Sequence, residues 1–295
     1  MFFRRCFHRW MLTAIVLFLA LPVARAADGV GAVAPVRRGV LILAHGGSRQ
    51  WNRTVKRAVE EAHLDAPTQI AFGMGFHQRE ARDLQQAVRR LEASGAREII
   101  VVPLLVSSSS EVFRQLEYLL GQRPEPAVTH EPLQPVTAQA RISIAPPLDD
   151  DPAVAEIVVE RARNLSREPQ RETLILVAHG PNEEADNARW LACMAKIAQT
   201  VQQQTGFRRV ETVSLRDDAP ESVKAEATAH LRALVEEASR DGEALIVPLL
   251  IARGGIEQGI PKRLQGLPYR YSGETLLPDA RISRWLKRRV VEKTL

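Results

Sequence analysis

The chain has 295 residues, of which 45% are hydrophobic and 25% charged, enough for two domains with ample cores. Its formal charge of +5 comes from 40 Lys and Arg against 35 Asp and Glu, yet Arg4, Arg5, Arg9 and Arg25 all lie in the first 26 residues, where no acid stands. The rest, 36 basic against 35 acidic, is nearly neutral and offers no basic footprint for nucleic acid.

The N-terminal segment reads as an export signal. Arg4, Arg5 and Arg9 make a basic start, residues 11–21 an apolar run, and Ala24-Arg25-Ala26 a small-x-small cleavage site. The run is shorter than the roughly 20 residues that cross a bilayer, and no later segment is apolar enough to span one. A signal peptide over 1–26, cleaved to give a periplasmic or secreted protein, is expected, with a retained N-terminal anchor as the alternative. Cys6 falls in this segment. Cys193 then stands alone on a predicted helix, as a small core residue with no disulfide partner.

Residues 39–44 and 172–178 are aliphatic runs that each end in Ala-His-Gly, at His45-Gly46 and His179-Gly180. Unbroken rather than alternating hydrophobicity is the pattern of a parallel strand buried on both faces. Polar helical patterns follow over 49–62 and 183–204. Next come short strands over 69–72 and 210–215 and amphipathic helices over 79–93 and 220–240. A second pair of aliphatic strands ends in Val102-Pro103-Leu104-Leu105 and Val247-Pro248-Leu249-Leu250. This order predicts an α/β protein of two similar βαβ domains, with mostly parallel sheets and helices on both faces. Asp149-Asp150-Asp151-Pro152 predicts a carboxylate-capped helix running to Leu165. The expected division is 27–165, a polar link over 166–171, and 172–295.

In such sheets ligands bind beyond the carboxyl ends of the strands. His45 and His179 stand at equivalent ends, each before a glycine that leaves the imidazole unscreened. A histidine there either bonds a loop carbonyl or binds a ligand, and the equivalence of the pair favours the ligand. Ser107, Ser108, Ser109 and Ser110, at a strand-to-helix junction, either hold a carboxylate or phosphate or form a plain polar loop. Glu111 is a metal ligand or a first-turn residue favoured by the helix dipole. His77, near Glu80, is a ligand or an exposed helix start. His63, His130 and His230 have no partners in the pattern and receive no role.

These residues carry a family resemblance. His45-Gly46-Gly47-Ser48-Arg49 is similar, with one extra glycine, to the His-Gly-Ser-Arg of the sirohydrochlorin cobalt- and iron-chelatases. Gly254-Gly255-Ile256-Glu257-Gln258-Gly259-Ile260-Pro261 resembles that family's later loop, and Asn187 stands where the family often has asparagine. The match covers most of the chain in the duplicated, two-half form of the family. It implies insertion of a divalent metal (cobalt, iron or nickel) into a tetrapyrrole, with ion and macrocycle as ligands and no organic cofactor. Imidazole binds such metals, and a carboxylate adds charge and accepts a proton. His45 is the expected first ligand, Glu111 the second and His77 the third, with His45 and Glu111 catalytic. His179 and Glu257 are the metal candidates of the second half. Ser48, Arg49, the four serines and Arg253, with Arg53 and Arg114, are the candidates to face a macrocycle's acidic side chains. The family's usual second histidine after Val-Pro-Leu is absent from both halves, and Glu111 and residues 255–257 stand near its place. Counting ligands puts the working site in the N-terminal half, because His179 has only carboxylates nearby: Glu183, Glu184, Asp217, Asp218 and Glu257.

No Gly-x-Ser-x-Gly elbow exists for an α/β-hydrolase. Ala44 and Ala178 stand where a histidine phosphatase needs arginine before His-Gly. The remaining alternative is an exported, non-enzymatic protein of the same fold that sequesters a metal or tetrapyrrole without turnover.

Overall fold

A computed structural model describes residues 37–127 and 131–293; the expected signal segment and His130 lie outside the described residues. The first half runs β1 (Arg38–Ala44), α1 (Arg49–Glu61), β2 (Thr68–Phe72), α2 (Gln78–Ala93), β3 (Glu98–Leu104), α3 (Glu111–Leu119), β4 (Arg141–Ile144) and α4 (Pro152–Leu165). The second runs β5 (Glu172–Ala178), α5 (Glu184–Thr205), β6 (Arg209–Ser214), α6 (Glu221–Asp241), β7 (Glu243–Pro248), α7 (Ile256–Arg263), β8 (Arg270–Tyr271) and α8 (Ala280–Glu292). The sheets have the same order, β2-β1-β3-β4 and β6-β5-β7-β8, and every pairing among them is parallel. The duplicated α/β pattern is therefore present. The fourth strands, β4 and β8, escaped the sequence reading because they are short, half-buried edge strands without an aliphatic run.

The unbroken apolar runs of β1 and β5 serve two cores at once. Side chains alternate across a strand. Val40, Ile42 and Ala44 therefore join a central core with Leu174, Leu176 and Ala178, while Leu41 and Leu43 face α2 and α3, and Ile175 and Val177 face α6 and α7. The central core also takes in α1, α4, α5 and α8, with Trp190 and Trp285 as its largest fully buried side chains. Here the halves exchange their last helices: α4 packs on α5 and β7 of the second sheet, and α8 on α1 and β3 of the first.

Asp151 fastens this exchange. As expected of the Asp-Pro start, its carboxylate caps α4 by accepting from the Ala153 N–H at 3.0 Å. It also pairs with Arg288 at 2.6 Å and Arg289 at 3.1 Å, both on α8. Asp151→Ala is expected to lower stability by about 2–4 kcal/mol, combining a lost cap with two lost charge-assisted bonds. Asp151→Asn, which keeps the cap, should lose about half of that. Urea unfolding of the three proteins measures it, and equal losses in both variants would place the whole effect in the ion pairs.

Candidate active site

Each sheet reverses its winding at the central pair: β1 connects outward to β2, while β3 lies on its other side. Loops on either side of such a switch point diverge and leave a crevice. The loops that flank it follow β1 and β3 in the first half, and β5 and β7 in the second. All the expected site loops except the one carrying His77 belong to this set.

His45 directly follows β1 and is exposed. Its Nδ1 lies 2.8 Å from the Gly46 carbonyl, which can only accept, so the proton sits on Nδ1 and Nε2 presents its lone pair. The glycine after each histidine has a steric reason. Gly46 (φ +83°) and Gly180 (φ +80°) are both left-handed, and a Cβ on Gly180 would stand 2.4 Å from that of Ser214. The second glycine of the first motif, Gly47, lies against the Trp51 ring, where a Cβ would come within 3.1 Å. Ser48 caps α1 by accepting from the Trp51 N–H at 3.2 Å, which uses the hydroxyl expected to face substrate. Arg49 begins α1 and is exposed.

His179 directly follows β5, and its Nε2 lies 3.2 Å from the Asp218 carboxylate in the loop after β6. A carboxylate only accepts, so Nε2 carries the proton and Nδ1 is left as the lone pair. The Asp218 carboxyl is held below its usual range, first by this hydrogen bond, against burial. Arg216 braces the His179 loop, reaching the carbonyls of Pro181 and Asn182 and the Glu184 carboxylate. The buried Asn187 accepts from the Ser214 hydroxyl at 2.6 Å, a structural use of the position singled out in the sequence.

Glu111 is the first residue of α3 and accepts from the backbone N–H of Glu183, across the halves. Burial raises its pKa, the like charges of Glu183 and Asp186 add to this, and Arg114 opposes them. One turn on, Arg114 meets the buried Asp186 at 2.5 Å. That pairing corrects the expectation that Arg114 faces a ligand.

Other expectations are corrected by hydrogen bonding. The serine run is a turn rather than an open anion cradle: Ser108 N–H donates to Asp149 at 2.7 Å, Ser109 N–H to the Ser107 hydroxyl, and Ser110 caps α3. Arg53 bonds Gln50 on its own helix. His77 is the N-cap residue of α2 and lies 3.4 Å from Glu131, while Glu80 turns to the N–H groups of Gly75 and Phe76. Glu257 is 2% exposed and accepts from the Gly254 N–H at 2.8 Å, so it closes its own loop. Among the described residues no group of three or more His, Cys, Asp or Glu is arranged to hold a metal, and His45, His77 and Glu111 do not form the expected three-ligand set. The His77 loop follows the edge strand β2, whereas those of His45 and Glu111 follow the central strands β1 and β3. Arg253 remains exposed at the rim. Cys193 packs against the central core, and burial beside Asp149 and Asp150 pushes its thiol up to about 12, an inert state.

The arrangement offers two imidazole lone pairs, a carboxylate bonded to the second imidazole, and a partly desolvated glutamate at the meeting of α3 and α5. The sequence placed Asp218 among five carboxylates near His179, and the structure singles it out as that ring's partner. A carboxyl whose pKa is raised on folding costs stability wherever the unfolded chain would be ionised, and that cost vanishes as pH falls below the ordinary carboxyl range. Glu111→Gln should therefore raise the urea midpoint at pH 7 and leave it unchanged near about pH 3. A gain independent of pH would show that the charge is not its source.

The comparisons agree with this architecture. The CbiX family model matches residues 39–165 and again 173–293. Sirohydrochlorin cobaltochelatase of Methanopyrus kandleri is 28% identical over 134 residues, which are 42% of this chain and 94% of that protein. Two solved structures share the fold: SirB from Bacillus subtilis with Fe3+ (TM-score 0.61, 19% identity, 87% of this chain and 95% of that one) and CbiX, the terminal enzyme of siroheme biosynthesis in denitrifying bacteria (TM-score 0.55, 16% identity, 86% and 99%). The archaeal relative thus spans about one half of this duplicated chain, SirB spans both, and the chain belongs to the CbiX family of chelatase-like proteins.

Proposed function

We propose that this chain inserts a divalent metal, cobalt or iron, into a sirohydrochlorin-like tetrapyrrole between its two histidine loops. The observation that carries the proposal is the placement of His45 and His179 at equivalent central strand ends, the second ring oriented by Asp218. As the metal enters, two pyrrole N–H bonds break and two protons leave the ring. The lone pair of His45 Nε2 serves as the first acceptor or metal ligand, and Glu111 relays protons toward water. His179, oriented by Asp218, holds the ion on the opposite side. Two or three weak ligands suit a metal that must be handed on, because a closed four-ligand site would retain it.

Metal insertion followed by absorbance, with sirohydrochlorin and cobalt, tests this. Wild-type protein should exceed the non-enzymatic rate, and His45→Ala should lower kcat/KM by about a hundredfold or more. His179→Ala should cost less, about tenfold, since its ring is already engaged by Asp218. Isothermal titration with cobalt should show affinity falling in both variants if the ion is shared, whereas a loss confined to His179→Ala would overturn the role of His45.

The second reading is a binder without turnover. It is favoured by the lack of a three-ligand cluster among the described residues and by glutamate where the family usually has a second histidine. Stoichiometric binding of macrocycle or cobalt without insertion would establish it. Export belongs to either reading: cleavage after Ala26 would leave a chain starting at Ala27. Mass spectrometry of the exported protein should find that mass, and a dominant species retaining residues 11–21 would overturn it.

A further inference from the structure

The loop after β7 brings the second half to the mouth of the first. Trp51 of α1 lies under Gly47, and on the other half Gly254 stands beside the same ring, where a Cβ would be 3.6 Å from its Cδ1. Glu257 braces the loop from inside, accepting from Gly254 N–H while its own carbonyl accepts from the Tyr271 hydroxyl at 2.6 Å. Arg253, immediately before Gly254, is therefore held on a fixed rim close to the His45-Gly46-Gly47 loop.

Several arginines of this half are held in ion pairs. Arg216 is paired with Glu184, Arg263 with Asp217, and Arg270 with Glu172 and Glu243. Arg253 is exposed and has no carboxylate partner or hydrogen bond among the described residues. Its guanidinium passes Gly273 and Tyr271; burial holds the Tyr271 phenol protonated, Glu257 adds to this, and Arg253 opposes both. When Pro103 is matched to Pro248, the equivalent residue of the first half is Ser108, whose backbone N–H donates to Asp149. The cation is present on one side only.

We propose that Arg253 is a specificity-determining residue that engages the peripheral carboxylates of an acidic tetrapyrrole, so that the second half orients the ring over His45 of the first. This rests on the chelatase reading above. A guanidinium with unused donors binds a carboxylate through two parallel N–H···O bonds, which fixes the carboxylate's direction as well as its charge. The side chain reads the ring's edge while the histidines act at its centre.

Absorbance titration of metal-free sirohydrochlorin into wild-type, Arg253→Lys, Arg253→Ala and Arg253→Glu tests it, with circular dichroism and cobalt titration as folding and metal controls. Arg253→Ala should weaken binding by about ten- to a hundredfold. Lys should lose less, Glu more, and the differences should shrink as salt is raised. Cobalt affinity without macrocycle should be unchanged. Equal affinity in all four proteins, or equal loss in all three variants, would overturn the role of Arg253 and leave the chelatase reading intact. A wild-type protein that binds no sirohydrochlorin would overturn both.

Discussion

A parallel sheet has to be covered on both faces, because its strands carry apolar side chains on each and its crossover helices fall on each. Two four-stranded sheets in one chain satisfy this by sharing a single helical layer. The even-numbered side chains of β1 and of β5 turn into that layer, and the odd-numbered ones into separate outer cores. Exchange of α4 and α8 follows from the same demand, since each sheet's inner face is completed by the other half's last helix. The Asp151 carboxylate, held by Arg288 and Arg289, ties the two exchanged helices together.

That sharing governs the site. Because both sheets press on one layer, the carboxyl ends of β1 and β5 are brought to a common region, and contacts across the halves become available. Glu111 accepts from Glu183, Arg114 meets Asp186, and Trp51 touches the Gly254 loop. A single half would have none of these. Duplication thus converts two similar units into one asymmetric site, with an exposed imidazole on one side and a carboxylate-bound imidazole on the other.

The asymmetry also suits the function proposed above. An ion delivered to a macrocycle needs ligands that release it, while the macrocycle needs a fixed orientation and a place for its protons. In the function proposed above, weak, separated donors at the centre and an unpaired guanidinium on a braced rim would divide those tasks between the halves.

The sequence by itself determined the element order, the duplication and the strand-end histidines, because aliphatic runs ending in Ala-His-Gly and Val-Pro-Leu-Leu encode buried parallel strands through local composition alone. It also determined the Asp151 cap, which depends on two neighbouring residues. The edge strands β4 and β8 were decided by pairing with a neighbour, which leaves no aliphatic signature in four or two residues. Tertiary structure alone decided which polar groups remain for a ligand. Ser48 and Ser110 became caps, Ser107 and Ser109 closed a turn, His77 met Glu131 and Arg114 met Asp186. Each of those outcomes depends on a hydrogen-bond partner whose position is set by folding, and for Arg114 that partner lies 72 positions away in the chain, beyond the reach of any local pattern.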